Sequence, residues 1–393
     1  MFRKFAVGRI CICSCSLALI LCAPLDGASA RTFAVLYSFM GKKTGSDPNS
    51  GPIADDTGNF YGTTELGGTA QAGTVYKLAT DGTETVLYSF CRGDACADGS
   101  GPEGGLIMDG NGNLYGTAAF GGPAGDGVIF ELAPSGVETP LYAFAGGSDG
   151  NQPEGGVIRD GAGMLYGTTI FGGGNGCGGY GCGTVFRLAP DGTETILHAF
   201  AAGSDGAWPY SRLVADRDGN LYGTASYGGA QDYGVVFEVA ANETENVLYS
   251  FSGGGDGGTP LAGLYRDEAG NLYGTTVTGG VHNDGTVFRL APDGTETVLH
   301  SFKKGRDGGF PNSALIADGK GNLYGTTTRG GGNNAGIIFR ISADGSEQVL
   351  HAFLGGSDGK RPVGALVRES GNIYGATLLG GAHNHGEVFQ LLK

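Results

Sequence analysis

The chain has 393 residues, 80 of them glycine, with 16% charged residues and a formal net charge of −15. That much glycine disfavours long helices, and the charge fraction is too low for a disordered tail. The acidic excess argues against nucleic acid as a partner. Length alone suggests two or three domains, but a repeat architecture can absorb the whole chain into one closed array.

At the N-terminus, Arg3, Lys4 and Arg9 precede an apolar run from Ile10 to Cys22, followed by Ala28-Ser29-Ala30. This pattern predicts a signal peptide over residues 1–30, cleaved near Ala30, and a secreted or periplasmic product. Cys22 does not fit a lipid-acceptor site, because Leu21 stands where such sites want a small residue. No later segment approaches the roughly 20 apolar residues of a membrane helix, so no membrane span is expected.

Residues 31–393 form the repeat region. They open with Phe33-Ala34-Val35-Leu36-Tyr37-Ser38-Phe39, a strand-like run. Gly-Asn-Leu-Tyr-Gly-Thr then recurs with small changes at Tyr61, Tyr115, Tyr166, Tyr222, Tyr273, Tyr324 and Tyr374, a period of about fifty residues. Each copy continues through a Gly-Gly doublet, a run such as Thr286-Val287-Phe288-Arg289-Leu290, a turn such as Pro292-Asp293-Gly294, and a run such as Thr297-Val298-Leu299-His300.

Four short extended runs per copy, divided by Gly, Asn, Asp and Pro, are the strands a, b, c and d of one propeller blade. In the second repeat they fall at Gly105 to Met108, Asn113 to Thr117, Gly127 to Leu132 and Thr139 to Phe144. The Phe33 to Phe39 run is a d strand with nothing before it, and Gly386 to Leu391 is a c strand with no d after it. Pairing these ends closes a ring and removes the exposed edges of a linear array. The prediction is all-β: a seven-bladed β-propeller of four-stranded antiparallel blades, the N-terminal strand completing the last blade. A monomer is expected.

Together, Gly-Asn-Leu-Tyr-Gly-Thr-Thr, the Gly-Gly doublet, Gly-Thr-Val-Phe-x-Leu and Asp-Gly-Thr-Glu-Thr-Val-Leu resemble the bacterial tandem repeats called GloVer (Gloeo_Verruco) repeats. The likeness covers essentially everything after residue 30. It implies export and no assigned biochemical role. Relatives often carry a C-terminal sorting anchor, which is not expected in a chain ending on a strand at Lys393.

Alternating strand direction sends the d-to-a and b-to-c connections to one face and the hairpin turns to the other. Function concentrates on loops held by a rigid scaffold, so the first face is the expected binding surface. Cys91 and Cys96, and Cys177 and Cys182, lie in connections on that face and read as two local disulfides in an exported protein. A four-thiolate zinc site fits less well, since zinc pairs usually leave two residues between thiolates; no metal site is assigned.

Every d-to-a connection carries an aspartate: Asp47, Asp98, Asp149, Asp205, Asp256, Asp307 and Asp358. The last six, each in Asp-Gly-x-x-Pro, are cation-binding candidates, with calcium as the ion. Their recurrence in every copy favours a turn-forming role instead. His282, His383 and His385 follow Gly-Gly doublets and are ligand-binding candidates. His198, His300 and His351 replace d-strand tyrosines and read as packing variants. Trp208 and Tyr210, on either side of Pro209, are candidates for stacking on a sugar ring.

No nucleophile motif, catalytic carboxylate pair or phosphate loop stands out, so no cofactor is predicted apart from calcium. A catalytic centre needs unlike groups converging, whereas the repeats look near-identical at the mouth. This favours a non-catalytic scaffold for a polysaccharide or cell-surface protein. The alternative is a secreted hydrolase or lyase acting on a glycan or small metabolite at the channel mouth.

Overall fold

A computed structural model describes residues 31–393, apart from the side chain of Asp94. The proposed leader and its cleavage site lie outside the described residues. Each repeat folds because its c strand is apolar and its short connections are rich in Gly, Asn and Asp. In the first blade, strands Ile53–Ala54, Phe60–Thr64, Thr74–Leu78 and Glu84–Ser89 pair in sequence order as a, b, c and d. Seven such antiparallel sheets form.

The seventh combines Lys360–Glu369, Asn372–Leu379 and Glu387–Leu391 with Phe33–Ser38, which pairs Phe33 opposite Leu391 and Tyr37 opposite Val388. The ring is therefore closed by the N-terminal strand, as the unmatched ends predict. The sixth sheet adds a fifth strand, Gly309–Pro311, paired to the b strand Leu323–Arg329. Four strands per blade is thus the rule with one exception.

Blades meet through one repeated aromatic contact. The phenylalanine ending each d strand packs edge-on against the c-strand aromatic of the next blade, as in Phe90 on Phe130 at 5.1 Å and Phe302 on Phe339 at 5.2 Å. Phe39 on Tyr76, at 5.1 Å, continues this contact across the closure. Such geometry adds to the burial of two large apolar side chains.

The central residues of the repeated motif now have causes. A Cβ at Gly116 would come within 2.7 Å of the Phe130 ring, so glycine is needed where the aromatic lies over strand b. One position earlier, the Tyr115 hydroxyl donates to Asp109 at 3.2 Å, and Asp109 also accepts from the Asn111 and Asn113 amides, fixing the a–b hairpin. Among the described residues no helix is long and apolar enough to cross a membrane.

Candidate functional site

The a strands are innermost. The residues leading into them from the loop face surround a cavity of about 790 Å³ to which all seven blades contribute. Each connection contains a proline followed by a residue that faces this space. From the first blade to the seventh these residues are Asn49, Glu103, Glu154, Tyr210, Leu261, Asn312 and Val363. This corrects the expectation of near-identical groups at the mouth. The backbone repeats while the side chains at this one register do not.

Four of the five polar members lie on the first four blades, and the fifth, Asn312, on the sixth. Asn49 Nδ2 donates to Glu103 at 2.9 Å. Burial, reinforced by the charge of Glu65, nonetheless pushes Glu103 up to about 7. Glu154 is pushed up to about 8 by burial and then by Glu103 and Glu65. Burial also raises Glu65, with Asp47 adding to the effect, and it raises Asp47, where His385 pulls the other way. Tyr210 is raised by burial and by the charges of Glu154 and Glu103. Glu103 and Glu154 are thus a partly desolvated carboxyl pair poised near neutrality, with Glu65 and Asp47 beside them.

Trp208 and Tyr210 both line the cavity. The Trp208 backbone has φ 58°, and its amide donates to the Cys182 carbonyl at 2.8 Å. Its ring lies 5.2 Å from that of Tyr227 at an interplanar angle of 29°. The Cys177–Cys182 disulfide therefore sits directly behind the aromatic wall. The other pair, Cys91–Cys96, also forms, within the connection from the first blade to the second.

The histidine candidates lie elsewhere. His282 and His383 are exposed on b-to-c loops, and His385 is half-buried, its carbonyl accepting from the Asp47 amide at 3.1 Å. None of the three lines the cavity.

The aspartate candidates occupy turns. Asp98 accepts from the Tyr88 hydroxyl at 2.7 Å and the Arg92 amide at 3.1 Å. Asp149 accepts from Tyr142 and the Ala145 amide. Asp256 accepts from Tyr249 and from the amide and hydroxyl of Ser252. Asp205, Asp307 and Asp358 each accept a backbone amide and face His198, His300 and His351 at 3.4, 3.4 and 3.2 Å.

In the first repeat this place belongs to Thr44, whose Oγ1 accepts from the Met40 amide at 2.8 Å. Asp47 instead matches the register of Trp208, and it has φ 57°. Counting aspartates along the chain misaligned that copy. Among the described residues no three His, Cys, Asp or Glu side chains converge as metal ligands would. Asp256→Ala should therefore cost about 2 kcal/mol in urea unfolding, through lost hydrogen bonds and an orphaned Tyr249 hydroxyl. Calcium and a chelator should leave the wild-type melting temperature alike.

The sequence reading missed the lining residues Asn49, Glu103, Glu154 and Arg212, and Glu65, whose charge acts on the two lining glutamates. The signal was available. Aligning the repeats on the proline of each connection shows that the residue after it varies and that the position of Arg212 is otherwise glycine or alanine.

Comparison with known proteins places the sequence within the Gloeobacter/Verrucomicrobia repeat pattern over residues 26–179 and 175–389. No curated protein matches it. Among solved structures, it is similar to the extracellular domain of a one-component system from B. thetaiotaomicron. That likeness has a TM-score of 0.58 and 12% identity, over 91% of this chain and 39% of that one. A puromycin hydrolase mutant complexed with PGG gives 0.55 and 13%, over 86% of this chain and 52% of that one. A luciferin-regenerating enzyme gives 0.46 and 14%, over 92% and 95%. The chain thus spans well under two thirds of the first two proteins, and at these identities the shared property is the fold.

Proposed function

The chain belongs to the Gloeobacter/Verrucomicrobia repeat family, and from that premise we propose that it is an exported, non-catalytic binding propeller that takes a short saccharide into its channel mouth. One observation carries this reading. The repeats diverge where strand a meets the axis, and there they line one cavity with aromatic side chains, Trp208 and Tyr210, and hydrogen-bonding groups, Asn49, Glu103, Glu154 and Asn312. Sugars offer this pairing its complement: apolar C–H faces for aromatic rings and vicinal hydroxyls for carboxyl and amide groups. A cavity of about 790 Å³ suits a few sugar units. Export follows from the basic and apolar leader pattern of residues 1–30.

The test is calorimetric titration of residues 31–393 with a panel of neutral oligosaccharides. Trp208→Gln places at this register the residue that the preceding blade already carries with φ 56°, Gln152, so the backbone should tolerate it. It should weaken binding at least tenfold while leaving the melting temperature within a few degrees. Absence of binding across the panel, or binding indifferent to this substitution, would overturn the reading.

A second reading, a glycan hydrolase or lyase, is favoured by Glu103 and Glu154. Two half-buried carboxyls raised to about 7 and 8 suit general acid–base work at neutral pH. Release of new reducing ends or unsaturated products, abolished by Glu154→Gln, would establish it in place of the first.

A further inference from the structure

We propose that Arg212 is an anion-recognition group in the channel and that the saccharide bound there carries a carboxylate, as a uronic acid does. The inference rests on the saccharide-binding reading and sharpens it. At the register of Arg212 the other six blades have Gly51, Gly105, Gly156, Gly263, Ala314 and Ala365. Arg212 is thus the one large side chain in a ring of glycines and alanines, and it lines the same cavity as Tyr210.

The propeller does not need it. Six blades build the same strand with no side chain or a methyl group, so the arginine has no evident part in folding. Nor does the protein neutralise it. Among the described residues no carboxylate lies within ion-pair distance of its guanidinium, whereas Arg187 and Arg266 do have such partners. Burial alone pulls its pKa down, with no opposing charge at hand.

A half-buried guanidinium that lines a cavity with no carboxylate partner gains charge-assisted hydrogen bonds when an anion reaches it. Its planar fork matches the two oxygens of a carboxylate, and a phosphate oxygen pair offers similar geometry. The carboxyls of Glu103 and Glu154, raised toward neutrality, are less charged at pH 6 to 7 than ordinary glutamates. They therefore oppose an incoming anion less.

Residues 31–393 are titrated at pH 6.5 with three probes: a galacturonic acid trimer, a neutral galactose trimer and a sugar monophosphate. The acidic trimer is expected to bind at least tenfold more tightly than the neutral one. Arg212→Ala, which installs the side chain of Ala314 and Ala365, should erase that advantage, the acidic trimer losing far more affinity than the neutral one, with the melting temperature intact. Arg212→Lys should retain part of it. A preference for the sugar phosphate, lost in Arg212→Ala, would support the guanidinium site and assign its anion as phosphate. Equal binding of acidic and neutral trimers would overturn this inference and leave saccharide binding standing. Unchanged acidic binding in Arg212→Ala, or collapse of the fold in that variant, would also overturn it. Failure of every probe would overturn both.

Discussion

Deleting residues 31–39 should destroy the single cooperative melting transition of the protein. The segment supplies the whole outer strand of the seventh blade, and its removal leaves Glu387–Leu391 as an open edge. Phe33 stacks on His351 with centroids 3.9 Å apart and also touches Phe353 and Phe389. Phe39 is completely buried. The Tyr37 hydroxyl reaches Glu84 in the first blade at 3.3 Å, tying the two ends of the blade series together.

Losing these side chains removes on the order of 10 kcal/mol of apolar burial, comparable to the entire stability of an ordinary domain. Calorimetry should show a broadened or absent transition, and size exclusion should show association through the new edge. A circular permutant carrying residues 31–39 after Lys393 through a short linker should recover the fold, since the Leu392 amide already donates to the Thr32 carbonyl at 2.9 Å. A truncated protein that melted like the intact one would refute closure by this strand.

The second large effect concerns pH. Six d strands begin with a glutamate: Glu84, Glu138, Glu194, Glu245, Glu296 and Glu347. Each is raised to about 7, chiefly by burial. One oxygen of each is buried without a hydrogen-bond partner. Glu103 joins them at about 7, and Glu154 and Glu387 at about 8.

A carboxyl whose folded pKa exceeds its unfolded value holds a proton that the unfolded chain releases. Its contribution is complete below about pH 4.5 and is lost as pH rises through 7 to 8. Two sets of groups act in the opposite direction. Burial lowers His198, His300 and His351, which favours the folded state as pH rises through 6.5. The hairpin aspartates, with Asp318 lowered to about 2 and Asp55 lower still, lose their contribution only in strong acid.

Eleven raised carboxyls, these nine with Glu65 and Asp47, against three histidines make the net slope negative. Eight of these nine, all but the fully buried Glu387, are partly open to solvent screening, so the full shifts do not convert into stability. The melting temperature should be lower at pH 8 than at pH 5 by on the order of 5 °C. Scanning fluorimetry at constant ionic strength measures this, and Glu296→Gln should flatten the slope. A melting temperature that rose from pH 5 to 8 would contradict the assignment.

Much of the fold was legible because its determinants are local and repeated. The motif tyrosine reports a hairpin contact made six times, the Gly-Gly doublet a turn made seven times, and the unmatched strands at Phe33 and Glu387 a ring made once. The fifth strand at Gly309–Pro311 was not legible, since a short extended stretch gains a ladder only when its neighbour is already placed.

The site was harder for the opposite reason. Trp208 and Tyr210 announced themselves by residue type, but Glu103, Glu154 and Arg212 are ordinary residues made unusual by register. Their meaning appears only when the seven copies are superposed and the innermost strand is known to face the axis. Asp47 shows the hazard of superposing by residue type: the position of Asp98 passes to Thr44 in the first repeat, and the aspartate nearby has a different neighbourhood.

The aromatic contact between blades is the same at all seven junctions, which makes one blade interchangeable with another as far as its neighbours are concerned. Swapping whole repeats would therefore rewrite the order of groups around the axis without altering any seam. The channel wall behaves as a seven-letter word written in movable type, and new combinations of side chains can be composed by resetting letters while the press remains unchanged.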